Sequence, residues 1–434
     1  MFLLSMGGLR ARDAAAHRAA SWARVCLMIC PFALSASTFA SEPLTLERAV
    51  SLAEQTAPML SAARSASLAA ERRIGPAGEL PDPELIAGID NLPASGPDAG
   101  SFSADFMTMR KVGVMQRFVR REKRSLRQQF AAAEAERESA TLTSAQLSLR
   151  TAVAQAWIET SLAERRLLLL ESLRSRFDLA VTAAEARLVS GDGSGAEVLS
   201  AKEARVMLED RLSEAARDSR IARAELARWL PKDADRALGV PPDWRDLEAS
   251  GAGAWLSRVD HHRDLLDYAA RVHAAEVDLR LAKAEKRPDW SLELAYADRG
   301  PAFSNMLSLM VRVDLPVFSA RRQDPLIAAK EAERDRIEAE REDMRRSHRA
   351  DLQRVVETWN TAKEQSDRFD RQLRPLARDR SDVALAAYGG GRGNLDGAIA
   401  ALSAETEREI EYVDRLRVMA LAWAELRYGF AEEH

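Results

Sequence analysis

The sequence predicts a mainly α protein with a β-barrel contribution: internally duplicated, long antiparallel helical hairpins plus four β-strands per chain. Three observations carry this. The chain repeats itself at an offset of about 200 residues. Each repeat holds a helical stretch far longer than a compact globule needs. Each also carries a proline-bounded pair of segments that alternate apolar and polar residues.

The repeat is legible in four places. "VAQAWIETSLAERR" (153–166) returns as "VVETWNTAKEQSDR" (355–368), with Trp157 and Trp359 in register, and "AELARWL" (224–230) returns as "AELRYGF" (424–430). "GDGSGAEVLSA" (191–201) is answered by "GGGRGNLDGAIAA" (389–401), and "VGVMQRF" (112–118) by "VRVDLPV" (311–317). The order within each copy is the same: a helix (45–78; 255–286), an extended hairpin (about 83–118; about 288–318), a long helical segment (120–189; 320–387), a glycine turn and a return helix (196–230; 395–428). The first structural repeat thus spans 41–250 and the second 251–434.

At about 1.5 Å per residue, a 70-residue helical segment extends about 100 Å. The rods carry a seam at 4-3-4-3 spacing, from Leu149 through Val153 and Thr160 to Leu170, and from Leu352 through Trp359 and Phe369 to Leu376. That spacing keeps one stripe against a partner helix. The other faces are dense in Arg, Glu, Asp and Lys and are solvated.

In the second hairpin, "PDWSLELAYAD" (288–298) sets Trp290, Leu292, Leu294 and Tyr296 on one face, with Glu293 among the residues opposite. "NMLSLMVRVDLPVF" (305–318) sets Leu307, Leu309, Val311, Val313 and Leu315 against Arg312 and Asp314 in the same way. Strands of about ten residues with strict alternation and an aromatic at each end of the apolar face suit a transmembrane β-barrel. The expected lipid face is Trp290, Leu292, Leu294 and Tyr296; the expected lumen face includes Glu293, Arg312 and Asp314. Aligning Pro83 with Pro288 sends Leu85, Ala87 and Ile89 outward, while Arg110 of the partner strand falls on the nominal lipid face. Lipid offers no hydrogen bonds, so four strands must close into a ring with those of other copies. The competing reading is a small soluble sheet with one buried face.

The chain's formal charge of −4, with no concentrated basic segment, speaks against a nucleic-acid partner. Residues 1–40 read as a signal peptide: Arg10, Arg12, Arg18 and Arg24 precede the apolar "VCLMICPFALSAS", and Thr38 and Ala40 form a small-residue cleavage site. Cys26 and Cys30 leave with it, which removes disulfides, thiolate metal sites and cysteine nucleophiles. His261, His262, His273, His348 and His434 are scattered; "DHH" (260–262), with Asp264 and Asp267, lacks a defined third and fourth ligand. No metal, cofactor or enzymatic activity is expected.

With these features the chain resembles the TolC family of trimeric outer-membrane efflux channels over nearly its whole mature length. "LPDPELIAGIDNLP" and "DFMTMRKVGVMQRFVRREKR" are similar to strand regions of the heavy-metal (cobalt–zinc–cadmium) resistance branch. The resemblance implies a homotrimer with a 12-stranded barrel in the outer membrane above a periplasmic helical tunnel. It also implies a periplasmic adaptor and an inner-membrane resistance-nodulation-division pump as partners. "RGNLD" (392–396) resembles the family's segment just past the periplasmic tip. Arg392 and Asp396 therefore become gate candidates. Glu197, taken as the equivalent of Asp396, joins them; the family's second acidic position falls at Ile399. Gly191, Gly193, Gly389 and Gly391 mark turns at which the family meets its adaptor. The function implied is a passive exit duct for divalent heavy-metal cations. The alternatives are drug efflux, type I protein secretion, or a soluble periplasmic coiled-coil scaffold.

Overall fold

A computed structural model describes residues 42–247 and 252–431, apart from the side chains of 252–254. The expected signal peptide with Cys26 and Cys30, the boundary at 250/251 and His434 lie outside the described residues. The leading helical segment is two helices. α1 (Leu46–Thr56) is capped by the Thr45 hydroxyl, which accepts from the Arg48 N–H at 3.2 Å. It stops because the ring of Pro58 holds Ala57 out of the helical region (ψ 119°). α2 (Pro58–Ala77) then uses that proline at its first position, where a missing N–H costs nothing.

After Pro81 and Pro83 the chain extends into β1 (Glu84–Asp90) and returns as β2 (Met109–Phe118). α3 (Arg121–Ser190) runs for 70 residues and α4 (Gly195–Trp229) packs back along it. The second half repeats the order as α5 (Ala252–Ser257), α6 (Tyr268–Ala284), β3 (Trp290–Asp298), β4 (Met306–Val313), α7 (Gln323–Arg368), α8 (Arg374–Gly389) and α9 (Leu395–Tyr428). Both halves share one core. Trp157 donates its indole N–H to the Leu44 carbonyl at 2.9 Å, and Trp359 donates to the Trp244 carbonyl at 3.0 Å. Each indole thus ties a long helix to the segment that leads into its own half.

Three further expectations are corrected. The helix expected over 255–286 is interrupted between α5 and α6, because residues there bond across the chain. His262 bridges Phe430, the Arg263 N–H donates to the Gly429 carbonyl at 3.1 Å, and the Ala431 N–H donates to the His261 carbonyl at 3.0 Å. The last strand ends at Val313, not near 318; Pro316 carries no N–H for a ladder, and Leu315 beyond the strand is 69% exposed. The long helix of the second half is broken by a π turn (Phe369–Leu373). The extra residue shifts the seam, so Leu376 is 64% exposed while Ser381 and Tyr388 are fully buried.

The four strands form one antiparallel sheet in the order β1-β2-β3-β4, so β1 and β4 are its edges. A buried ionic joint fastens it to the helices. The Lys123 ammonium contacts Asp289 at 3.1 Å and Glu285 at 3.0 Å, and the second Asp289 oxygen accepts from the Arg120 N–H at 3.1 Å. The apolar core lies in the helices, where Leu149, Val153, Trp157, Leu416, Met419 and Trp423 meet. Smaller clusters continue toward the α3–α4 and α8–α9 turns. Among the described residues no helix is long and apolar enough to cross a membrane.

Candidate functional site

The register of the sheet sorts its side chains. Leu294 stands opposite Val114 on one side and Leu309 on the other, and Tyr296 lies between Val112 and Leu307. This apolar face is open: Leu294 is 49% and Leu309 68% exposed, with Trp290 and Tyr296 exposed and Leu292 half-buried. At one end Trp290 stacks on Phe118 with ring centroids 4.2 Å apart. Arg110 does fall on this face, but it sits at the sheet's far end opposite Asp298 and pairs with it at 2.7 Å.

The other face is closely packed where β2 meets β3, while β4 leaves Ser308, Met310 and Arg312 exposed. Ala295 and Ala297 are buried, and a Cβ on Gly113 would lie 2.7 Å from that of Ala295. Glu293, 3% exposed, is held by Lys111 and Arg312, each at 2.6 Å. The structure therefore brings together Glu293 and Arg312 but not Asp314. Asp314 lies one residue beyond β4 and pairs at 3.3 Å with Arg117.

The two helical turns are built alike. Gly191 and Gly391 adopt left-handed φ values of +83° and +72°. The next N–H bonds back to Arg187 O at 3.0 Å in one turn and to Ala387 O at 2.9 Å in the other, closing each helix. Gly193 is tightly placed, since a Cβ would lie 3.0 Å from the Arg187 backbone; Gly389 is required by neither space nor φ. Arg187 ties the turns together, donating to the Tyr388 carbonyl and the Asp192 carbonyl, each at 2.9 Å.

The caps correct one equivalence. Ser194 caps α4 with Glu197 at the third helical position in a capping box, whereas Asn394 caps α9 with Gly397 at that position. Glu197 therefore corresponds to Gly397, and the exposed Asp396 lies one residue earlier in its helix. Arg392 is exposed in the turn itself.

Two polar clusters escape sequence reasoning because their members are distant in the chain. Between α3, α8 and α9, Arg176 binds Glu405 and Asp382, and the Ser381 hydroxyl donates to Glu405 at 2.6 Å. Burial raises the Glu405 carboxyl above its ordinary range, against the opposing pull of Ser381 and Arg176. In the second cluster, the fold brings His348 of α7 to His262 and Asp264. One ligand atom from each lies within 4.8 Å of the others.

The chain thus carries one sheet, with an open apolar face and a charged opposite face, on paired long helices. No protein-family model matches the chain, and no curated protein does. Solved structures do. A membrane protein from Pseudomonas aeruginosa superposes with a TM-score of 0.76 at 17% identity over 89% of this chain and 92% of that one. The outer-membrane channel OprN gives 0.75 at 15% identity over 89% and 90%. The outer membrane protein VceC from Vibrio cholerae gives 0.73 at 18% identity over 89% and 97%. At such identities the likeness is one of fold.

Proposed function

We propose that the chain is the outer-membrane exit duct of a tripartite efflux system. Three copies would pool their sheets into a 12-stranded barrel, with the long helices forming a tunnel in the periplasm. The observation that carries this reading is the open apolar face on a sheet whose β1 and β4 edges lack strand partners among the described residues. Exposed strands in a bilayer must satisfy their edges, and closure with further copies does so. The fold shared with outer-membrane channels supports the same conclusion. A soluble sheet that hides Leu294 and its neighbours fits poorly with their exposure.

On this reading Trp290, Leu292, Leu294 and Tyr296 face lipid, while Glu293 and Arg312 face the bore. Transport is passive: a periplasmic adaptor docks at the glycine turns, and a resistance-nodulation-division pump supplies the energy. The substrate class is divalent heavy-metal cations, supported by the resemblance of the β1 and β2 segments to the metal-resistance branch. Asp396 and Arg392 narrow the tip; Glu197 contributes charge there while it caps α4.

Fractionation with cross-linking tests the duct. The protein should stay in the outer membrane until detergent releases a trimer, and a soluble monomer overturns the reading. Loss of the protein should sensitise cells to zinc, cobalt or cadmium; sensitivity to organic drugs alone moves the substrate class to drug efflux. Alanine at Asp396 or Arg392 should change single-channel cation conductance, and an unchanged conductance removes the gate assignment.

A further inference from the structure

We infer that His262, Asp264 and His348 form a resident site for a zinc-class divalent ion in the helical body. Two imidazoles and one carboxylate are a ligand set that zinc takes, with a fourth position left for water or another group. With bonds of about 2.0–2.1 Å, the donor atoms of a tetrahedral zinc site stand about 3.3–3.4 Å apart. The Asp264 carboxylate oxygen lies 3.5 Å from His262 Nδ1 and 3.6 Å from His348 Nε2. Those separations are long for hydrogen bonds but close to the edges of such a tetrahedron. The imidazole rings lie side by side, centroids 4.8 Å apart and 35° from parallel, with their donor nitrogens within 4.8 Å, so an ion would draw the rings together to close the third edge.

The surroundings prepare His262 for this role. Its Nε2 faces a Glu425 carboxylate oxygen at 3.4 Å, and Arg263 holds that same oxygen at 2.9 Å. A carboxylate that accepts a hydrogen bond from Nε2–H leaves the lone pair on Nδ1 and orients the ring, the usual outer support of a metal-bound histidine. At present Nδ1 receives only a 3.4 Å contact from the Asp264 N–H. Asp351, one helical turn beyond His348, lines the same cavity of about 600 Å³, which leaves room for water at the fourth position. The Asp264 side chain is 44% exposed, which gives the ion an entry path.

The position explains what an ion would do there. His262 belongs to the interrupted segment before α6, bridged to Phe430 just beyond α9, and His348 belongs to α7. One ion would pin the segment between α5 and α6 to α7, beside its bridge to the end of α9.

The test uses the purified full chain in detergent, stripped with a chelator and then dialysed against zinc, so the outcome does not depend on what the duct carries. About one zinc per chain should remain, and it should raise the apparent Tm. Cobalt(II) should give the visible absorption of a four-coordinate site. His348→Gln and Asp264→Asn should lose the bound metal, the cobalt spectrum and the Tm rise while keeping the metal-free circular dichroism. His273→Ala should keep all three. A parent protein that retains no metal, or a His348→Gln variant that retains as much as the parent, overturns the site.

Discussion

Trp157 in the helical body and Trp290 in the sheet put the same side chain to opposite uses. Trp157 is fully buried and spends its indole N–H on a backbone carbonyl; Trp290 lies open on the sheet surface, stacked on Phe118. Around Trp157 the apolar residues point inward and the charges outward, as water demands. Around Trp290 the order is inverted: leucines and valines outward, Glu293 inward and paired with Lys111 and Arg312. The ionic joint at Lys123 marks where one arrangement gives way to the other.

The largest effect is expected at that joint. Lys123→Ala leaves Asp289 buried without its counter-charge and should cost about 3–5 kcal/mol, read as a loss of assembled protein and a lowered apparent Tm. Lys123→Met, equally uncharged, should behave alike; a neutral outcome for both would separate the joint from the stability of either region. Next comes the inversion itself. Leu294→Arg or Leu309→Arg should cost about 2–4 kcal/mol each if the face meets the middle of a bilayer. Ser308→Arg, exposed on the opposite face beside Ala295, should leave membrane assembly largely intact. Equal loss from both faces, measured as membrane-extracted protein, would break the comparison.

Smaller effects sharpen it at the turns. Gly191→Ala forces a Cβ into a left-handed φ and should destabilise by about 1–2 kcal/mol. Gly389→Ala, at the open and helical end of α8, should be neutral or stabilising by up to about 1 kcal/mol; paired thermal melts decide. The smallest effect is a pH dependence in the body. Burial holds the Glu405 proton in the folded chain at pH values where the unfolded chain has released it. Its contribution to stability is complete below the ordinary carboxylate range and declines as pH rises through the folded value. From about pH 4 to 7, the apparent Tm of Glu405→Gln should therefore gain on that of the parent.

Much of this was legible locally. The doubled order, the alternation in β3 and β4 and the glycine reversals at 191 and 391 are patterns of short period. Such patterns depend on which residues share a face or tolerate a turn, and they survive any later packing. The misreadings have physical causes as well. Pro58 and Pro316 ended elements that periodicity alone would have continued. The π turn moved the seam off Leu376, and an extra residue in a helix leaves no mark in the spacing of its side chains before the fold selects it.

By itself, then, the sequence determined which surfaces are apolar, where the rods reverse and that the plan is written twice, because these follow from backbone geometry over a few residues. Only the tertiary structure decided that Lys123 meets Asp289, that Arg176 clasps Glu405, and that His348 arrives beside His262 and Asp264. Those pairings join helices and loops remote along the chain. Their partners are chosen by how the helices close on one another, a choice that no local spacing encodes.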